Sequence, residues 1–226
     1  LSEWIDFVLE AQKLQQSATA LDESEVATKA LLCLEGAMYL ILTGMSMEKS
    51  PNLDSEALKM YVDTLDLIGD IGSVFSTELG PLEAKIVVLT TRCQSLLLLK
   101  LFQFNTRLGT NVVWYINDYL QRCPVPKIVP MSQSSGKRPP QIMAEIPYQL
   151  YEDFNKVFAT QMALLNAQEL WGRADQLASY HGIEETFKQL DIQCGPLTFK
   201  SPLVDLVRYV KEAARMLKPG LAGTRK

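Results

Sequence analysis

One histidine, His181, is all that 226 residues provide, and that scarcity excludes more chemistry than any other feature. Ser-His-Asp and Cys-His catalysis would both have to use it, and no nucleophile signature surrounds the SYHG stretch in which it sits. Clustered zinc ligands are missing too. Cys33, Cys93, Cys123 and Cys194 are scattered, with no CxxC pair, and read as reduced thiols. There is no glycine-rich phosphate loop. Asp63, Asp66 and Asp70 form an acidic line on a helix face, but a di-iron bundle also needs Glu-x-x-His pairs, which a single histidine cannot furnish. The sequence therefore predicts no catalytic residue, no metal site and no cofactor.

Long apolar runs are also lacking. The longest uncharged stretch, Gly36 to Met47, falls short of the roughly 18 residues that cross a bilayer, so no membrane span is expected. The opening LSEWIDFVLE carries three acids where a secretory signal would carry lysine or arginine, so the chain is expected to stay inside the cell. A formal net charge of -4 argues against a nucleic-acid surface spread over the whole domain.

What the sequence has is helical periodicity almost throughout. Trp4, Phe7, Val8, Ala11 and Leu14 define one amphipathic helix. A second opens at Asp22, where Glu25 resembles the far end of a capping box, and closes near Gly44. A third runs from Asp54 to about Ile71, a fourth from Pro81 to about Asn105, and a fifth from Leu108 to Arg122. Helices resume near Pro147 and continue through IEETFKQLD. The last has Ser201 as its cap, Pro202 at its first position, a stripe from Leu203 to Leu217, and Pro219-Gly220 as its stop. The β-like run IVVLTT, Ile86 to Thr91, lies inside the fourth and is read as helix.

The expected fold is all-α, with about eight helices in an antiparallel, tetratricopeptide-like array. Small residues such as Ala30, Gly36, Ala37, Ala167, Gly172, Ala174 and Ala178 would allow close stacking. No clean 34-residue repeat accompanies them. Between residues 123 and 143 five of the eleven prolines gather with serine and glycine, a composition that suits a disordered linker. The helical parts are then 1–122 and 144–218 of one domain, with a tail at 219–226.

Two surfaces stand out. In RCQSLLLLKLFQF, Ile86, Leu89, Cys93, Leu96, Leu97 and Phe104 cluster on one side of a helical wheel, while Val88, Leu98, Leu99 and Phe102 lie on the other. A helix with two dry faces is either sandwiched by its own chain or docked by a partner. With Tyr209 and Met216 on a third strip of the last helix, Leu98, Leu99 and Phe102 are the candidate dimer-interface residues. The second surface is the stripe Arg208, Lys211, Arg215 and Lys218, spaced i, i+3, i+7, i+10. Such a stripe could track phosphates as a nucleic-acid-binding helical module. It also fits a solvated face that complements the helix dipole, and no aromatic interleaving accompanies it.

Three stretches, TRCQSLLLLKLFQF (Thr91–Phe104), ELWGRADQLA (Glu169–Ala178) and CGPLTFKSPLVDLVRYVKEAARML (Cys194–Leu217), resemble the C-terminal homology domain of the AFF, or ALF, family, scaffolds of the super elongation complex. The resemblance implies a nuclear, non-enzymatic, tetratricopeptide-like helical domain. It also implies that the domain joins one scaffold of RNA polymerase II elongation to another as homodimer or heterodimer. Other elongation-complex subunits would then be met through regions outside this chain.

Overall fold

The computed structural model describes residues 3–75, 78–122, 129–130, 142–143 and 147–222. Among them are α1 (Glu3–Thr19), α2 (Val26–Met47), α3 (Asp54–Ser73), α4 (Pro81–Arg122), α5 (Tyr148–Tyr180), α6 (Glu184–Cys194) and α7 (Leu203–Ala222). The fold is all-α. A two-residue antiparallel pairing of β1 (Val129–Pro130) with β2 (Ile142–Met143) is the exception. It falls in the segment expected as a disordered linker, 123–143, most of which lies outside the described residues. The chain forms two compact units, one of Leu1–Phe102 with Ala163–Lys226 and one of Gln103–Met162.

In the first unit α2 lies against α1, α3 and α7. It suits that central place because Leu31, Leu34, Ala37, Met38 and Ile41 are all buried. Gly36 lets the backbone of α1 come near: a β-carbon there would meet the Ala11 carbonyl oxygen at 3.5 Å. Gly172, expected in the same role, is exposed and has nothing near it. Return of α7 onto α2 joins segments far apart in sequence, a closure that a stack touching only its neighbours does not need.

Several helix ends differ from expectation, each for a local reason. α2 passes Gly44 and ends at Met47, because Gly44 is a packing site: a β-carbon there would lie 2.7 Å from Cε1 of Tyr61. Asp22 accepts from the backbone N–H and hydroxyl of Ser24, so it closes the preceding turn, and α2 has no side-chain cap. The fourth and fifth expected helices are the single α4 of 42 residues. Between them stand only Thr106 and Arg107, with Gly109 just inside the fifth, and a lone glycine weakens a helix by about 1 kcal/mol, too little to break it. Thr90 and Thr91 donate their hydroxyls to the Val87 carbonyl, which settles two β-branched polar side chains inside a helix. The Ser201 hydroxyl accepts the N–H of Thr198 and so does not cap α7. α7 itself runs beyond Pro219, since a proline near the last turn removes one backbone bond from a helix.

Two helical stretches, Val26–Met47 and Pro81–Gly109, do reach the length and mean hydropathy of a bilayer span. Length and composition alone meet this measure, and the buried core helix of a folded domain meets it equally. In each, 56% of the apolar window is buried within the protein.

Candidate interaction surfaces

The leucine-rich part of α4 is closed on one side. Ile86, Leu89, Cys93, Leu96 and Leu97 are buried, and so is Val88, expected on the opposite face. Ser95 anchors this helix to α5 by donating its hydroxyl to the Ala167 carbonyl at 2.6 Å. Burial keeps the Cys93 thiol well above its usual pKa. Leu98, Leu99, Phe102 and Met216, four of the expected interface residues, are half-buried.

Tyr209, the fifth, is not on an outer face. It is 1% exposed, and its hydroxyl donates to Asp191 Oδ1 at 2.9 Å and toward the Phe187 carbonyl at 3.3 Å. A wheel drawn on α7 alone leaves that strip bare, whereas the folded chain lays α6 over it. Desolvation first, and the carboxylate of Asp191 next, raise the Tyr209 hydroxyl above the usual tyrosine pKa.

Around this tyrosine the three stretches singled out in the sequence converge. Arg92, from the first, has its guanidinium 4.6 Å from the Phe187 ring centroid and 5.4 Å from that of Trp171. It also pairs with Asp175 at 3.0 Å. Trp171 and Asp175 come from the second stretch, and Phe199, edge-on to Trp171 at 6.1 Å, comes from the third with Tyr209. A cation between two aromatic faces, tied to a carboxylate, is strongest when water is kept out. The three stretches thus meet in one knot of the first unit, with Phe187 and Tyr209 buried and Arg92, Trp171 and Phe199 half-buried.

The uncovered apolar surface lies elsewhere. Of eighteen exposed large apolar side chains among the described residues, ten fall between Gln103 and Met162. Trp114 is 67% exposed and Phe158 66%, with Leu108, Val113, Leu120, Tyr148 and Tyr151 also more than half exposed. Tyr151, Phe154, Phe158 and Met162 follow i, i+3, i+7, i+11 on α5, so an apolar stripe faces water along three turns. Within this unit a groove of about 930 Å³ runs beside Leu108, Val112, Val113, Trp114, Val157 and Ala159. The spacing of that stripe is visible in the sequence, but a stripe has the same pattern whether it faces a core or solvent.

The basic stripe on α7 is largely balanced. Arg208 pairs with Asp205 at 3.0 Å, Arg215 with Glu212, and Lys218 with Glu35 at 2.9 Å. Lys211 stands 3.7 Å over the ring of Tyr39. A helix wheel shows Asp205 and Glu212 but not Glu35 and Tyr39, which α2 brings from far away in sequence.

Comparison with known proteins points one way. The description "AFF4, C-terminal homology domain" matches residues 3–139 and 131–221 of this chain. Among curated proteins, AF4/FMR2 family member lilli of Drosophila pseudoobscura pseudoobscura is 28% identical over 236 residues, covering 96% of this chain and 13% of the relative. Its counterpart in Drosophila willistoni is 27% identical over 230 residues, covering 93% and 12%. That in Drosophila melanogaster is 27% identical over 221 residues, covering 88% and 13%. The chain therefore spans about one eighth of the length of these relatives.

Proposed function

We propose that this chain, which belongs to the AFF4 C-terminal homology domain family, is a pairing domain that holds two scaffold chains of the transcription-elongation machinery together. The pair is either two copies of this chain or one copy with a paralogue. It works in the nucleus and performs no reaction of its own. Elongation-complex subunits are met through the remainder of a longer scaffold, such as the curated relatives to which the chain is similar over about one eighth of their length.

One observation carries the reading: the concentration of exposed apolar side chains in Gln103–Met162. Patches beyond a few hundred Å² are rarely left bare on a monomer. Fully burying residues such as Trp114, Tyr151 and Phe158 contributes about 1.5–3 kcal/mol each before the cost of association. An isologous two-fold contact would bring the α5 stripe of one copy against a second copy, with the half-buried Leu98, Leu99, Phe102 and Met216 as secondary candidates.

The test is co-purification of two differently tagged copies. The copy with one tag should be retained on a column that binds the other, and Trp114→Asp with Phe158→Asp should abolish this while helical circular dichroism is unchanged. Unaltered co-purification by the double variant would move the interface off this surface. A full-length fusion that stayed outside the nucleus would contradict the assignment of compartment.

A further inference from the structure

A second surface belongs to the first unit and is independent of the pairing reading. The last turn of α6 and the outer side of α7 form a shallow groove of about 820 Å³, whose lining includes Val204, Val207, Arg208, Lys211, Arg215 and one acid, Glu212. Val204 is half exposed, Val207 at 5% exposed forms the closed bottom, and Ile192, next to the lining residue Gln193, is 85% exposed. Apolar floor and cationic wall thus share one site. Its charges differ in how firmly they are held. Among the described residues Arg208 pairs with Asp205 through one nitrogen and Arg215 grips Glu212 with both Nε and Nη2, and the arginine side chains remain 62% and 71% exposed. A single exposed pair is worth little in water, so an incoming carboxylate can replace Asp205 on Arg208. Lys211, over Tyr39, has no carboxylate partner among the described residues.

We propose that this groove docks a short acidic peptide segment of another protein, one whose apolar side chains rest on Val204 and Val207 while its carboxylates meet Arg208, Lys211 and Arg215. Charge complementarity selects the sign of the partner, and the valines select a peptide over a nucleic acid. A phosphate backbone would find Asp205 and Glu212 between the cations and would leave the apolar floor unused. A peptide can vary its side chains along the groove and avoid both penalties.

Fluorescence anisotropy with a labelled peptide that alternates Glu and Leu tests this, with a Lys/Leu peptide and an oligo-dT strand as companions. The acidic peptide is expected to bind in the micromolar range and to weaken with salt, the Lys/Leu peptide not to bind, and the oligonucleotide to bind more weakly. Arg208→Glu with Arg215→Glu should weaken the acidic peptide by about tenfold or more. Asp205→Asn with Glu212→Gln should tighten it, a gain that misfolding cannot produce. The proposal is overturned if the acidic peptide shows no saturable binding, or if neither pair of substitutions changes it. Tighter binding of oligo-dT through the same arginines would reassign the groove to nucleic acid. Binding that appears only on dilution to monomer would show that a second copy occupies it.

Discussion

In the unit of Leu1–Phe102 with Ala163–Lys226, many large apolar side chains, among them Leu34, Tyr61, Leu97 and Tyr209, are closed off from water, although Tyr180 and Ile192 stand 85% exposed. In Gln103–Met162 side chains of the same size, Trp114 and Phe158 foremost, stand about two-thirds exposed. Helix formation does not separate them, since α4 and α5 each contribute residues to both units. What differs is the supply of covering helices. α1, α2, α3, α6 and α7 all belong to the first unit. The first unit therefore buries most of its large apolar side chains, whereas the second, though shorter, carries ten of the eighteen exposed ones among the described residues.

Substitutions that break this contrast should act on different observables. The largest effect is expected at a sealed position. Leu97→Ala removes a wholly buried side chain and should destabilise by about 2–5 kcal/mol, read as a lower midpoint in urea denaturation. Next is Gly44→Ala, whose new methyl meets the Tyr61 ring. Overpacking of that kind costs about 1–3 kcal/mol, seen in the same experiment.

Tyr209→Phe should be milder, about 1–2 kcal/mol, because it withdraws the donor that Asp191 accepts. It also carries a signature in pH. The folded-state pKa of Tyr209 is raised, so the folded chain holds this proton more tightly than the unfolded chain. Its contribution is complete below the unfolded value of about 10 and is lost as pH rises through the higher folded value. Denaturation curves of the parent should therefore weaken above about pH 10, and those of Tyr209→Phe should weaken less. The smallest effect on stability is expected from Trp114→Asp with Phe158→Asp, within about 1 kcal/mol, although this pair should change the native mass.

Most of the helices were legible in the sequence, because a buried stripe repeats every three or four residues whatever covers it. Even IVVLTT could be assigned from its setting. Boundaries were harder wherever a residue answers to a distant one: Gly44 reads as a stop until the Tyr61 ring is placed against it. The candidate surfaces were less legible for the same reason. Tyr209 sits on an outer strip of an isolated α7, and only α6 and Asp191 make it core. Lys218 reads as a free cation until α2 brings Glu35 to it. The stripe on α5 was present in the spacing from Tyr151 to Met162, but spacing does not tell a face covered within the chain from one left open.

The native mass of the chain, measured by sedimentation equilibrium across a dilution series, tests the central claim most directly. The expected result is twice the chain mass in the micromolar range, falling toward one chain on dilution, and one chain throughout for Trp114→Asp with Phe158→Asp. A parent protein that remains a stable, folded monomer at every concentration would contradict it.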